Sequence, residues 1–169
     1  MPTTSLKYSS SSVNLGSDIA WTSPAYGTGG PLEGKLTYAY CYMGTSLSNY
    51  LVMTNFNLAI PAGHRLTQLY LSYRQERGDF SYTGVSNLYI VIGGSVSYEV
   101  ASIPDWSISG FGNLNIWTPG LTADQANATN FGIAVRCQGY ASPCGVHVYG
   151  TSFKADYVLK GTNFFFNSF

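Results

Sequence analysis

Hydrophobic and polar residues alternate with a period of two along most of this chain, and that pattern predicts β-strands rather than helices. Residues 36–42 show it most clearly, because a leucine and three tyrosines occupy every second position and predict a strand with one aromatic face. The same alternation predicts further strands at 50–60, 65–74, 85–92, 96–101, 131–138, 146–149 and 153–159. Short strands separated by frequent turns predict an all-β domain folded as an antiparallel β-sandwich.

Glycine and proline mark the connections between the predicted strands. Pro61 and Gly63 predict a turn that pairs the two strands on either side of it, and Gly-Gly-Ser at 93–95 predicts a hairpin in the same way. Residues 103–112 are rich in proline, serine and glycine, and we therefore expect a long connection there.

The chain has one helical signature, which is followed by a strong core pattern. Thr122 and Gln125 have the spacing of a capping box, so we predict one short helix near 122–128. In the strand that follows, Gly132 is expected to allow the close approach of a neighbouring backbone. The residues predicted to form the central core strand are Phe131, Ile133 and Val135.

The two ends of the chain differ in composition from the sandwich predicted between residues 21 and 160. Residues 1–20 include a run of four serines, cannot bury much, and are predicted to form an extended N-terminal arm. Residues 161–169 form an aromatic C-terminal tail, which is either a final edge strand or a segment that docks on a neighbouring subunit. The candidate interface residues of that tail are Phe164, Phe165, Phe166 and Phe169.

The amino-acid composition of the chain argues against some classes of binding partner. Charged residues make up only 9% of the 169-residue chain, whereas 45% are hydrophobic and 15% aromatic. Such a neutral surface is typical of a domain that neighbouring subunits cover. A net charge of +0 with dispersed lysines and arginines argues against nucleic acid as a partner, and no apolar run is long enough to predict a membrane span. The chain also begins without the pattern of an export signal.

Residues that could carry chemistry are few and scattered, and we predict a protein that is not an enzyme and that has no catalytic residues, no metal and no cofactor. His64 falls in a predicted turn and His147 in a predicted strand, where a solvated or structural histidine is the more common case. The acidic pairs that a sandwich could bring together are Glu76 with Asp79 and Glu99 with Asp105, and nothing in the pattern selects either pair.

The three cysteines are predicted to be reduced, because their number is odd and no export signal is present. We interpret them as small hydrophobic residues in strands. A bridge between Cys137 and Cys144 across a hairpin loop remains the alternative, because the short spacing between them would allow it.

Aromatic residues near predicted loops raise the possibility of carbohydrate binding, because sugar rings stack on exposed indoles. The three tryptophans are Trp21, Trp106 and Trp117. Trp106, which lies within the predicted long connection, is the best candidate for a glycan contact.

Two segments carry a family resemblance. The first ends a strand in Ile-Pro-Ala-Gly at 60–63 and continues into an aliphatic strand, and the second runs Trp-Thr-Pro-Gly-Leu-Thr at 117–122 before Asn-Phe-Gly at 130–132 opens a core strand. Together they resemble a small jelly-roll module that recurs among virion proteins of tailed bacteriophages. The resemblance covers roughly residues 48–160 and rests on positions that define a fold. It implies a jelly-roll-like sandwich, and in such modules the residue matching Trp117 is a packing residue.

The resemblance also implies a function. It implies a non-enzymatic virion structural protein, a capsid decoration or cement subunit that bridges neighbouring capsid proteins. The expected partners are the major capsid protein or other virion proteins together with further copies of this chain, as a trimer or dimer. The expected location is the virion, assembled in the host cytoplasm. The alternative is a tail-fibre or tail-tip receptor-binding module that recognises a host surface glycan.

Overall fold

Two antiparallel β-sheets, stacked face to face, form the described part of the protein. The structure is a computed structural model that describes residues 1–29, 38–78, 84–104, 110–116 and 121–161. The first sheet contains β1 (Lys7–Tyr8), β3 (Ala39–Tyr42), β5 (His64–Arg77), β8 (Gly110–Ile116) and β10 (Gly145–Leu159). The second sheet contains β2 (Ser11–Leu15), β4 (Tyr50–Thr54), β6 (Gly84–Ile92), β7 (Ser95–Pro104) and β9 (Gly132–Gly139). A 3-10 turn spans Pro24–Gly27, and helix α1 spans Ala123–Asn127.

The order of the strands shows how the chain alternates between the sheets. The first sheet has the order β1-β10-β5-β8, with β3 pairing with β10 beyond the end of β1, and the second has the order β2-β4-β9-β6-β7. Each of these strand pairs is antiparallel. The predicted all-β, jelly-roll-like antiparallel sandwich is confirmed, and α1 lies where the short helix is predicted.

The segment between β4 and β5 corrects one sequence prediction. β4 and β5 do not pair with each other; they lie in different sheets, and residues 55–63 carry the chain from one sheet to the other. The polar or small positions of this segment have left-handed backbone angles, with φ of 61° at Asn55, 49° at Asn57 and 56° at Ala59. The side chains between and after them are buried: Phe56, Leu58 and Ile60. Residues 55–60 therefore alternate between more exposed and buried positions as a β-strand does, which explains the strand prediction. Their left-handed φ angles nevertheless exclude a β-strand.

Two further strand boundaries differ from the prediction. The predicted strands 146–149 and 153–159 are one strand, β10, because its pairing with β5 continues through an irregularity between Val148 and Gly150. The predicted long connection is wrong at both ends, since β7 extends to Pro104 and β8 begins at Gly110. The sequence of β8 contains two glycines and two asparagines, residues that are depleted in strands and weaken the signal.

Residues 1–20 are extended and pair with both sheets. β1 pairs with β10 in the first sheet, and β2 pairs with β4 in the second. The expectation that this segment buries little agrees with the structure, since its only buried residues are Thr4, Ser9 and Ser12. The Thr4 hydroxyl accepts a hydrogen bond from the backbone N–H of Ala155 at 2.9 Å, which fixes the chain start along β10.

Three phenylalanine rings connect the two sheets at the centre of the core. The Phe153 ring on β10 lies 4.5 Å from the Phe56 ring and 5.6 Å from the Phe131 ring, measured between centroids. The predicted core strand is confirmed, because Phe131, Ile133 and Val135 are all buried. A Cβ atom placed on Gly132 would lie 2.0 Å from the carbonyl oxygen of Met53, so the predicted close approach of a neighbouring backbone is also confirmed.

The cysteines are free and buried, in agreement with the prediction of reduced thiols. Burial raises the pKa of Cys41 to about 12, and burial likewise raises the pKa values of Cys137 and Cys144. Because the thiolate is the reactive form, these thiols stay protonated and act as small apolar side chains.

The side chain of Asn127 joins α1 to the segment that crosses between the sheets. Its Oδ1 accepts a hydrogen bond from the Ile60 N–H at 2.9 Å, and its Nδ2 donates to the Ile60 carbonyl oxygen at 2.8 Å. The helix begins with the predicted capping box, in which Thr122 and Gln125 bond each other's backbone N–H groups. One asparagine therefore connects the two segments that carry the phage resemblance.

We expect Asn127→Ala to lower the free energy of unfolding by about 1–3 kcal/mol, because it leaves a backbone N–H and a carbonyl without partners. Urea unfolding followed by circular dichroism measures the change. Asn130→Ala is the control, since that exposed side chain lies just after α1, and its expected cost is within about 0.5 kcal/mol. Equal costs for the two variants would show that the Asn127 contact contributes little.

Candidate functional site

The residues that the sequence singled out for binding fall mostly outside the described part of the structure. The residues outside it include the candidate glycan contact Trp106 and the candidate interface residues Phe164, Phe165, Phe166 and Phe169. Trp117, Asp79 and Asp105 also lie outside the described residues. Those assignments stay predictions. Trp21 is described, and it is a core residue: its ring is buried, and its indole N–H donates to the Asn49 carbonyl oxygen at 2.7 Å.

The outer surface of the second sheet carries a row of apolar side chains that crosses four strands. Val13 of β2 lies opposite Val52 of β4, Val52 lies opposite Ala134 of β9, and Ala134 lies opposite Tyr89 of β6. Leu15 lies opposite Tyr50 in the next row on one side, and Val91 lies opposite Val96 on the other. The apolar face, as we call it, consists of Val13, Leu15, Tyr50, Val52, Tyr89, Val91, Val96 and Ala134.

The apolar face is partly closed by its own side chains and partly open to solvent. Val52, Val91 and Ala134 form a second buried cluster, separate from the main core, against which Tyr50, Tyr89 and Val96 pack. Val13 and Leu15, on the edge strand β2, remain 52% and 46% exposed. The outer surface of an antiparallel sandwich is ordinarily polar where it meets water, and the half-exposed Val13 and Leu15 depart from that pattern.

A polar group borders the apolar face. Arg136 forms an ion pair with Asp18, and its guanidinium carbon lies 5.0 Å from the centre of the Tyr50 ring. Its Nε also donates to the Ser48 carbonyl oxygen at 3.2 Å. Arg136 is thereby held flat against the sheet, and its charge is compensated beside the apolar row.

The outer surface of the first sheet carries a different cluster, which we call the aromatic face. Tyr40 of β3 lies opposite His147 of β10, and His147 lies opposite Glu76 of β5, so one row crosses three neighbouring strands. The Tyr38 ring stacks on the His147 ring at 3.9 Å with an interplanar angle of 13°, and it meets the Tyr149 ring edge-on at 5.2 Å. The aromatic face consists of Tyr38, Tyr40, Arg74, Glu76, His147 and Tyr149.

Charged groups hold this aromatic cluster in place. Glu76 Oε1 accepts hydrogen bonds from Arg74 Nε at 3.1 Å and Nη2 at 2.6 Å, and Oε2 accepts one from the Tyr149 hydroxyl at 2.8 Å. Partial burial opposes ionisation of Glu76, but the bonds from Arg74 and Tyr149 outweigh it and hold the pKa of that carboxyl below its usual value. Burial and the hydrogen bond to Glu76 raise the pKa of Tyr149 to about 12. Glu76 is therefore held in its ionised form, paired with Arg74.

The described residues include no group of three His, Cys, Asp or Glu side chains placed to hold a metal ion. No helix within them is long and apolar enough to cross a membrane. Of the acidic residues that the sequence singled out, Glu76 forms an ion pair with Arg74. The described geometry instead has two distinctive side-chain clusters, the apolar face and the aromatic face, on the outer surfaces of different sheets.

Sequence reasoning predicted part of the aromatic face, as one side of a strand, and missed the apolar face. The alternation at 36–42 predicted the aromatic side of β3, and Tyr40 and Tyr42 are exposed there while Ala39 and Cys41 are buried. The apolar face escaped prediction because its members come from five separate strands. One feature of the sequence could have indicated the apolar face. Outward positions such as Val52 and Val91 are hydrophobic, so that β4 and β6 are hydrophobic on both sides.

No protein-family model matches the chain, and comparison with curated proteins finds no match. Among solved structures, the chain is similar to a family 29 carbohydrate binding module from Piromyces equi, with 14% sequence identity and a TM-score of 0.38. The similarity covers 90% of this chain and 92% of that chain. So distant a likeness carries no argument about what this chain binds.

Proposed function

We propose that this chain is a non-enzymatic structural protein of a tailed-phage virion, a capsid decoration or cement subunit that bridges neighbouring capsid proteins. The observation that carries the proposal is the apolar face, whose edge residues Val13 and Leu15 a solitary domain would leave in contact with water. The sequence resemblance supports the same assignment, and Asn127 joins its two segments in space.

The apolar face supplies the binding energy that such a subunit needs. Complete burial of an exposed aliphatic side chain contributes about 1.5–3 kcal/mol, and covering the half-exposed Val13 or Leu15 would contribute about half of that. The cost of removing water from charged groups in such an interface is small, because charged residues are only 9% of the chain and Arg136, at the border of the apolar face, already has an ion-pair partner. Contacts of this size, repeated around a shell, stabilise junctions between capsid proteins.

The partners follow from this role. The major capsid protein or another virion protein would lie against the apolar face, and a dimer or trimer of this chain would present several such faces to the shell. The protein would assemble onto the virion in the host cytoplasm. Phe164, Phe165, Phe166 and Phe169 are a further candidate contact with a neighbour, since aromatic anchors dominate interface energies.

We expect the double variant Val13→Asp/Leu15→Asp to bind purified undecorated shells at least tenfold more weakly than the natural protein, because it places two carboxylates in an interface that would have to desolvate them. Co-sedimentation with shells measures the affinity, and light scattering after gel filtration measures the oligomeric state. Leu159→Asp is the matched control, because Leu159 is 59% exposed on β10 in the other sheet.

Thermal unfolding separates a lost contact from a lost fold, since both substituted side chains are about half exposed at the edge of the sheet and the double variant should keep its transition. Shell binding that survives the double substitution would overturn the assignment of the apolar face. A natural protein that binds no shell at all would overturn the decoration role. The alternative, a tail-fibre or tail-tip receptor-binding module, is favoured by one specific observation, the aromatic face.

A further inference from the structure

The aromatic face points to a second binding site, on the side of the sandwich opposite the apolar face. We propose that Tyr38, Tyr40, His147 and Glu76 form a site for a neutral saccharide. The inference deepens the receptor-binding alternative by naming a site and a ligand class, and it holds equally for a decoration protein that carries a sugar site on its outward side.

The first argument is the exposure and rigidity of the rings. Tyr40 is 41% exposed on β3, and its ring lies edge-on to His147 at 6.3 Å and to Tyr38 at 6.4 Å. The Tyr38 ring stacks in parallel on the His147 ring and also meets the Tyr149 ring edge-on. The C–H surface of a pyranose ring packs against an aromatic ring of this kind. A platform already fixed by stacking loses little conformational entropy when the ligand binds.

The second argument is the supply of hydrogen-bonding groups beside the rings. Each carboxylate oxygen has two lone-pair sites, and Glu76 Oε2 accepts one hydrogen bond, from Tyr149. One acceptor position of Glu76 therefore remains. Within the described residues, the hydroxyls of Tyr38 and Tyr40 have no hydrogen-bond partner. Hydroxyl groups of a ligand match this arrangement, because they donate to the carboxylate and accept from the phenols.

The third argument concerns charge and size. Glu76 and Arg74 form an ion pair at 2.6 Å, and their opposite charges cancel within the face. A neutral ligand therefore fits better than a phosphate or an acidic sugar. The row Tyr40–His147–Glu76 crosses three strands, a span of about 10 Å at the usual strand spacing. That length is comparable with a disaccharide unit of a longer chain.

The test uses the full chain in native gels that contain dextran, a linear β-mannan or a β-galactan, and retarded migration reports binding. We expect at least one of these neutral polysaccharides to retard the protein, and we expect Tyr40→Ala to weaken that binding about tenfold. Tyr40→Phe should keep most of the stacking. Tyr98→Ala is the matched control, because Tyr98 is 39% exposed on β7 of the opposite sheet, and its binding should be unchanged.

Results that differ from these would overturn the proposed saccharide site. If none of the three polysaccharides retards the natural protein, or if Tyr98→Ala weakens binding as much as Tyr40→Ala, the site is not on the aromatic face. If Tyr40→Ala instead weakens binding to capsid shells and leaves migration in polysaccharide unchanged, the face binds protein. Val13→Asp/Leu15→Asp should still bind the polysaccharide, which distinguishes failure of this inference from failure of the decoration role.

Discussion

Replacing Phe131 by alanine should lower the free energy of unfolding by about 3–5 kcal/mol, one of the two largest effects that we expect of a single substitution in this protein. Phe131 is fully buried and packs against Phe153, which in turn packs against Phe56. The three rings come from segments that belong to both sheets and to the crossing between them. Loss of one ring therefore leaves a cavity at the point where the sheets meet, where neighbouring elements cannot easily collapse.

Chemical denaturation followed by tyrosine and tryptophan fluorescence measures this cost. Tyr140→Ala serves as control, because Tyr140 is 58% exposed in the loop between β9 and β10 and its removal should cost about 0.5 kcal/mol or less. Phe131→Leu, a milder change, keeps the measurement possible if the alanine variant does not fold. A cost below about 1 kcal/mol for Phe131→Ala would mean that this strand is peripheral to the core.

The second large effect is expected at Gly132, the next residue along the chain and the first of β9. The added methyl group of Gly132→Ala would meet the Met53 carbonyl oxygen at 2.0 Å and the Thr54 Cα at 2.9 Å, and both are backbone atoms that cannot move aside alone. β4 and β9 would have to separate at the pair formed by Thr54 and Gly132. We expect a loss of about 3 kcal/mol or more, at the upper end of the usual cost of overpacking.

Gly63→Ala is the informative comparison for Gly132→Ala. Gly63 has a φ of +76° but nothing within 4 Å of its added Cβ, so only the left-handed backbone angle is penalised, at about 1 kcal/mol. Thermal or urea unfolding of both variants separates backbone strain from steric overlap. Equal losses in the two variants would mean that the close approach of β9 to β4 does not limit this position.

The two surfaces are arranged as the proposed bridging role requires. The apolar face and the aromatic face lie on the outer surfaces of different sheets, so one partner can lie against each without competition. The first is suited to a protein neighbour, because burial of aliphatic side chains needs no directional partner. The second is suited to a hydroxylated ligand, because Glu76 and the tyrosine hydroxyls offer directional hydrogen bonds.

Local patterning was enough to predict much of the fold. The alternation at 36–42 indicates which side of β3 is aromatic, the spacing of Thr122 and Gln125 indicates where α1 begins, and the pattern after Phe131 indicates the central core strand. These features depend on residues within a few positions of one another. Backbone propensity and side-chain period act over that distance, so they can be read before the chain folds.

Sheet membership and the binding surfaces depended on contacts between distant residues. The left-handed angles at Asn55, Asn57 and Ala59 send the chain from one sheet to the other, and Asn127 holds that crossing through hydrogen bonds to a residue 67 positions away. The rows on the apolar and aromatic faces exist only after strands pair in register. Register is a property of strand pairs, set by burial and backbone hydrogen bonds across the sheet, and no single segment of the chain contains it.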